Sequence, residues 1–356
     1  MKIALITDTH FGARGDSPIF NEFFFKFWEN IFFPYMKENN IKSVIHLGDV
    51  VDRRKFINHN IAWDFQNRFM KRLWKEGIDT HILIGNHDTY FKNTNKVNAI
   101  ENLCTTYDGL NEPWIYSESK VVNFDGCEIL FMPWINSGNY EESLKMINET
   151  TAPVCFGHFE IAGFQMYKGQ VNEEGLDRKI FDKFDLVCSG HFHHKSTDNN
   201  IVYLGNTYEF TWSDYGDQKG FHIFDTDTHE LTFVPNPYTI FHKIIYDETN
   251  AELFTEDLSK YKDAFIKLVV INKTDYYKFD KYVESLYNAQ LQELKIIEDL
   301  NMFENEALTD EDIDVQDTVN LLSNYIDSYE IDCDKEKLKT VMKTLYVEAQ
   351  NYEETN

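Results

Sequence analysis

The run Lys2-Ile-Ala-Leu-Ile-Thr-Asp-Thr-His10 is an apolar stretch that ends abruptly at two side chains suited to a polar site. Its brevity and its β-branched residues read as a buried strand, closed by a loop that carries Asp8 and His10. The same grammar returns twice. Ser43–Leu47 runs into Gly48-Asp49 and on to Asp52-Arg53, and Thr80–Ile84 runs into Gly85-Asn86-His87-Asp88. Helical spacing fills the intervals. Pro18 opens a segment with Phe20, Phe23, Phe24, Phe27 and Ile31, which Pro34 should kink or divide. Ile57–Lys75 places Ile61, Phe65, Phe69 and Leu73 on one face, and Val97–Cys104 makes a third helix. Strand, polar loop and helix alternating three times specify an α/β layered fold.

From Val121 the strands become denser: Val121–Phe124, Glu128–Met132, Val154–Phe156, Leu186–Cys188 and Ile201–Leu204. Two of them end in further polar clusters, Gly157-His158 and Gly190-His191-Phe192-His193. Phe221–Asp225 and Glu230–Pro235 flank Thr226-Asp-Thr-His229 as an antiparallel hairpin. Past Asn236-Pro237 the character changes. His242–Tyr246 and Ala264–Val270 read as strands and Phe279–Leu300 as a helix, a small α+β unit. Asp299 to Asp317 holds eight acidic residues and no basic one, which is the composition of a solvated linker. Two amphipathic helices close the chain, one with Val315, Val319, Leu322 and Ile326, the other with Leu338, Val341, Met342, Leu345 and Ala349. The expected organisation is therefore 1–236, 237–298, a linker at 299–314 and a helix pair at 315–356.

The chain has 356 residues, 42% of them apolar, enough for a large core. No apolar run is long enough to span a bilayer, and the brief start before Asp8 does not read as a signal peptide. Its five cysteines lie far apart, and Cys155 and Cys188 sit inside apolar runs as buried thiols do, so a reducing cytoplasm is the expected compartment. The net charge of −26 opposes nucleic-acid binding, but residues 247–356 carry 27 Asp/Glu against 11 Lys/Arg, so most of the excess lies outside the clusters. Bound cations would offset more of it, and a partner can supply basic surface.

A lone histidine at a strand end is ordinarily a surface or capping residue. Five clusters together supply Asp8, His10, Asp49, Asn86, His158, His191 and His193, an oxygen and imidazole set suited to two divalent ions such as manganese, iron or zinc. Two such ions activate a water molecule and neutralise charge on a phosphate ester. His87 remains for protonating the departing alkoxide, with Asp88 either orienting its ring or capping its loop.

These motifs resemble the calcineurin-like metallophosphatase superfamily, whose members share Asp-x-His, Gly-Asp, Gly-Asn-His-Asp/Glu, a lone His and Gly-His-x-His. All seven ligand positions match. The resemblance implies a sandwich of two sheets flanked by helices over residues 1–236, followed by the α+β capping domain and the helix pair. It assigns one metal to Asp8, His10, Asp49 and His193 and the other to Asp49, Asn86, His158 and His191, with Asp49 bridging.

Within that superfamily, Gly157-His-Phe-Glu-Ile-Ala-Gly-Phe-Gln-Met-Tyr-Lys-Gly169 is similar to the SbcD-like, or meiotic-recombination-eleven, nuclease family. So is the layout of a capping unit, a linker and a helix pair, which in that family docks on the coiled-coil base of an SbcC-like ATPase. Gly205-Asn-Thr, Lys219-Gly-Phe-His-Ile-Phe-Asp225 and Leu345-Tyr-Val-Glu-Ala349 resemble its T-even phage branch. Many cellular members carry histidine where this chain has Asp52, which reads here as a loop buttress. Arg53-Arg54-Lys55, beside the bridging ligand, suits flanking DNA phosphates. The family dimerises through the helices corresponding to Ile57–Lys75 and Val97–Cys104, where Trp63, Phe65, Phe69, Ile100 and Leu103 fit core packing equally well.

The expected activity is that of a manganese-dependent DNA nuclease subunit, exonuclease and single-strand endonuclease, processing DNA ends with an ATPase partner. One alternative is a phosphomonoesterase or cyclic-nucleotide esterase, for which the acidic linker and helix pair have no use. The other is a non-catalytic scaffold, which a complete ligand set disfavours.

Overall fold

The computed structural model describes residues 1–104, 112–167 and 170–298, with positions 335, 337–339 and 342 beyond them. Contacts group Met1–Ala307 as one unit and Leu308–Asn356 as another. The acidic linker lies outside the described residues, as does the closing helix pair apart from those few positions, which are helical.

Two six-stranded sheets form the centre of the first unit. One runs in the order Leu231–Pro235, Gly220–Asp225, Lys2–Ile6, Ser43–His46, Asp79–Leu83, Trp114–Tyr116, and its last four strands are parallel. The other runs Ser196–Asp198, Ile201–Tyr203, Leu186–Ser189, Val154–Gly157, Cys127–Met132, Lys120–Phe124. Side chains alternate between sheet faces, and here both faces are covered, so the parallel strands read as continuous apolar runs. Ile3, Leu5, Ile45 and Leu83 point inward against Ile129, Phe131, Val154 and Phe156 of the second sheet. Ala4, Ile6, Val44 and Ile82 point outward beneath Phe20, Phe24, Trp28, Phe65 and Phe69 of the helices. Leu130, Cys155 and Val187 do the same on the far side, against Ile147 and Phe181. The result is the helix–sheet–sheet–helix sandwich that the motifs implied.

The helix from Pro18 is divided, as Pro34 required: Pro18–Phe27 widens through a π-helical turn at Trp28–Phe32 before Phe33–Glu38. The second helix begins at His59, where the Asn58 side chain accepts the Asn60 N–H at 2.8 Å. The hairpin around Thr226–His229 forms in register, Phe221 opposite Val234. Cys104, Cys127, Cys155 and Cys188 are buried free thiols, and no helix among the described residues is long and apolar enough to cross a membrane. The expected layout missed the edge strand Trp114–Tyr116 and the helix Tyr140–Glu149.

One element differs in kind. Phe279–Leu300 is not a single helix: the helix is Tyr276–Asn288, capped by the Asp275 carboxylate, and Glu293–Ile297 is a strand. Gln290, at φ +62°, reverses the chain between them. The strand completes a parallel sheet with Phe241–Asp247 and Phe265–Asn272, and burial against those strands outweighs a helical period that continues through Leu291 and Leu294.

Phe65 is fully buried against Phe11 and Phe69. Phe65→Ala should therefore destabilise the protein by about 3–5 kcal/mol in urea unfolding, the usual cost of an emptied aromatic site. A loss within about 0.5 kcal/mol, the range of surface substitutions, would show that this helix is not part of the core.

Candidate metal centre

All five polar clusters meet at one end of the sandwich. Each is the loop that follows a parallel strand, and the strands Lys2–Ile6, Ser43–His46 and Asp79–Leu83 deliver theirs side by side. The glycines of the motifs make the meeting possible. A Cβ on Gly48, at φ +103°, would lie 2.6 Å from His158 Nδ1 and 2.8 Å from Gly85 Cα. One on Gly190 would lie 2.1 Å from Thr7 Oγ1. Asp8, His10, Asp49 and His191 themselves have positive φ, at 49°, 40°, 55° and 84°. Left-handed backbone costs a non-glycine residue about 1–3 kcal/mol, and its concentration on four of the seven candidate ligand positions points to a functional site.

The side chains sort into two sets. Single ligand atoms of Asp8, His10 and His193 lie within 4.8 Å of one another, and so do those of Asp49, His158 and His191. Asp49 reaches both: its Oδ2 is 3.3 Å from His158 Nε2 and 3.9 Å from His10 Nε2. Asn86 Oδ1 faces His158 Nε2 at 2.8 Å and His191 Nδ1 at 3.0 Å. His158 Nδ1 donates to the Leu47 carbonyl at 2.9 Å, which turns Nε2 toward the centre. Both ring nitrogens of His10 are buried with no hydrogen-bond partner. Oxygen and imidazole groups crowded together, with buried His10 nitrogens left without hydrogen-bond partners, fit divalent cations.

The electrostatics agree. Burial pushes the His10 imidazole down, but the carboxylates of Asp52, Asp49 and Asp8 outweigh it and carry it to about 9. His158 reaches about 9 against burial in the same way, through Asp49 and Asp8. Burial and the His158 charge take His191 to about 3. Burial, His10 and Lys219 hold His193 well below its ordinary value. Asp49 stays ionised despite burial, held down by His158 and His87. Each of the two sets thus holds one imidazole whose protonated form is favoured by its carboxylate neighbours.

A model of the calcineurin-like phosphoesterase family matches residues 1–195. The chain belongs to that family. It is also similar, at 30% identity over 354 residues, to exonuclease subunit 1 of Enterobacteria phage T4, covering 98% of this chain and 99% of that one. The D component of the SbcCD nuclease of Staphylococcus epidermidis is 22% identical over 202 residues, 54% of this chain and 49% of its own. Among solved structures, a novel archaeal phosphodiesterase aligns with 66% of this chain at 16% identity and a TM-score of 0.31, too low to bear on the fold.

The phosphoesterase centre separates two roles that the sequence left joined at Asp88. Its carboxylate is fully buried and accepts the backbone N–H groups of Gly85, Asp49, Val50 and Val51 at 2.8–3.1 Å. It fastens two ligand loops together and does not orient His87. Burial and the Asp49 charge raise it to about 6, against the pull of those donors. The His87 ring is held instead by the Asp52 carbonyl, 2.6 Å from Nδ1. A carbonyl only accepts, so Nδ1 carries a proton and Nε2 is left for exchange. Asp52 also brings its carboxylate to 3.5 Å from His10 Nδ1, which fits a loop buttress.

Arg53 is ion-paired with Asp16 and lies over the Phe56 ring, and Arg54 lies over Trp134. Lys55 is exposed. Of the helix residues weighed for dimerisation, Phe65, Phe69, Ile100 and Leu103 belong to the core, and only Trp63, 57% exposed, faces outward. The motifs did not point to Lys219. Its buried ammonium pairs with Asp214 at 2.6 Å and donates to the His193 carbonyl at 3.1 Å. A lysine just before an apolar strand was the available signal, and surface lysines give the same one.

An imidazolium cannot ligate a metal, so ions held by these two sets would displace protons from His10 and His158. Manganese affinity should rise with pH from 7 toward 9. Calorimetry near pH 7 in two buffers of different ionisation enthalpy should read release of about two protons per chain. Identical heats in both buffers would contradict the assignment.

Proposed function

We propose that this phosphoesterase is a DNA nuclease subunit that hydrolyses phosphodiesters at a two-metal centre, with manganese as the working ion. What carries the reading is the meeting of six candidate ligands in two groups, with Asn86 beside them, in one strained and largely buried centre, within a chain similar along 98% of its length to a protein named an exonuclease subunit. Asp8, His10, Asp49 and His193 would hold one ion and Asp49, Asn86, His158 and His191 the other. The ions, when bound, supply an activated water and offset the charge that builds on the phosphate. The protein's own work is positional. Asp88 and the glycines fix the ligand loops, and Asp49 Oδ1 accepts the His87 N–H at 2.8 Å, which ties the acid to the centre. With Nδ1 bound to the Asp52 carbonyl, a proton on His87 Nε2 is the one available to a departing alkoxide.

Arg53, Arg54 and Lys55 follow the Asp49 loop and are read as contacts to flanking phosphates. Segment 315–356 is read as the binding element for an SbcC-like ATPase, in keeping with relatives that are named as subunits. With that partner, the chain would trim or nick DNA ends in recombination and repair, in the host cytoplasm if phage-encoded.

His87→Ala should keep manganese binding but lower cleavage of end-labelled duplex DNA by about 10²–10⁴-fold, while Asp49→Ala loses both. Normal cleavage by Asp49→Ala would sink the reading. Dimerisation through the His59–Lys75 helix would rest on Trp63, so Trp63→Glu should convert dimers to monomers in sedimentation. Monomers in both forms would remove that interface.

A further inference from the structure

His46 ends the strand Ser43–His46 and is 2% exposed, yet the metal-ligand motifs do not include it. Both of its ring nitrogens are engaged. Nδ1 accepts the Gly48 N–H at 3.2 Å, so that nitrogen carries no proton. In the neutral ring the proton is then on Nε2, which donates to Thr9 Oγ1 at 2.9 Å. The Thr9 hydroxyl donates in turn to the Val50 carbonyl at 3.1 Å. Each donor in this chain has one acceptor, so the tautomer and the direction of every bond follow from the backbone groups at its ends. Burial drives the imidazole to about 3, which keeps it neutral among its charged neighbours.

The residues it joins matter. Thr9 stands between the ligands Asp8 and His10, and Gly48 and Val50 stand on either side of Asp49. We propose that His46 is a positioning residue for the metal centre, locking the Asp8-Thr9-His10 loop to the Gly48-Asp49-Val50 loop through Thr9 and thereby setting Asp8 and His10 against Asp49. The inference rests on the two-metal reading given above. Backbone bonds from Asp8 to Gly48, His10 to Asp49 and Phe11 to Val50, at 2.8–3.2 Å, also join these loops. Loss of the imidazole therefore loosens the ligands without parting the strands, and the variants should fold.

The test uses the full chain titrated with manganese chloride by calorimetry, together with electron paramagnetic resonance of the loaded protein. His46→Leu fills the space without hydrogen bonds, and Thr9→Val removes only the hydroxyl. Each should weaken manganese affinity about 10–100-fold, the usual effect of losing an outer-shell partner, and should alter the coupling signal between two bound ions. The double variant should be no worse than the single ones, because both break one relay. His46→Gln places an amide N–H where Nε2 stands and should restore affinity close to that of the unaltered chain. Unchanged affinity in His46→Leu and Thr9→Val, additive losses, or a His46→Gln variant as weak as His46→Leu would each overturn the proposal. Thr9→Val decides the matter if His46→Leu does not fold. An unaltered chain that binds no manganese overturns the two-metal reading as well, whereas one that binds two ions while the variants match it overturns this inference alone.

Discussion

Two carboxylates, Asp8 and Asp49, sit essentially out of reach of solvent in a space ringed by imidazoles. Leaving an anion in such a place costs several kcal/mol unless positive charge and hydrogen-bond donors answer it. The protein supplies a partial answer by raising His10 and His158 to about 9, one in each ligand set. It supplies donors through the backbone, as where the His191 N–H meets both oxygens of Asp8 at 3.1 Å. Divalent cations supply the rest. The ligand geometry, the local strain and the chemistry all follow from holding these two acids close together.

Holding them requires a rigid frame. Four of the candidate ligands have left-handed backbone, a cost of about 1–3 kcal/mol apiece that the loops alone cannot support. The sandwich opposes it with cores on both faces of both sheets, so the strand ends that carry the loops cannot shift independently. Specific ties extend this frame into the centre. Tyr208, stacked on Phe24 at 3.8 Å in the helical layer, donates to the Thr9 carbonyl at 2.6 Å. Lys219 does the same for His193 from the start of the hairpin. The parallel sheet that follows the sandwich is tied in at Glu209, whose carboxylate accepts the Ile240 and Phe241 N–H groups at 2.8 and 3.1 Å. Burial raises that carboxyl to about 7.

Within the centre, neighbouring acids have different duties because their surroundings differ. Asp88 is enclosed by four N–H groups and holds loops together. Asp52, partly exposed, offers its carbonyl to His87 and its carboxylate to His10. The sequence left Asp88 equally open as a partner of His87 or as a loop cap, and the chain direction after Asn86 turns that side chain onto four backbone N–H groups. The acid–base role proposed for His87 thus depends on a main-chain oxygen 35 residues earlier in the sequence.

The seven candidate ligands, and the strands whose ends bear them, were legible in the amino-acid chain. Each cluster closes an apolar run such as Lys2–Thr7, and glycine precedes the ligand wherever backbones must nearly touch, so local chemistry carried the information. The split of Phe279–Leu300 into a helix and a strand was not legible, because a short run such as Leu294–Ile297 suits either period until parallel partners claim it. The burial of Phe65 and Ile100, the loop-fastening role of Asp88, and the ties made by Lys219 and His46 were likewise settled by packing in three dimensions. Each depends on which distant backbone or side-chain group arrives opposite it, and no local pattern encodes the far end of such a contact.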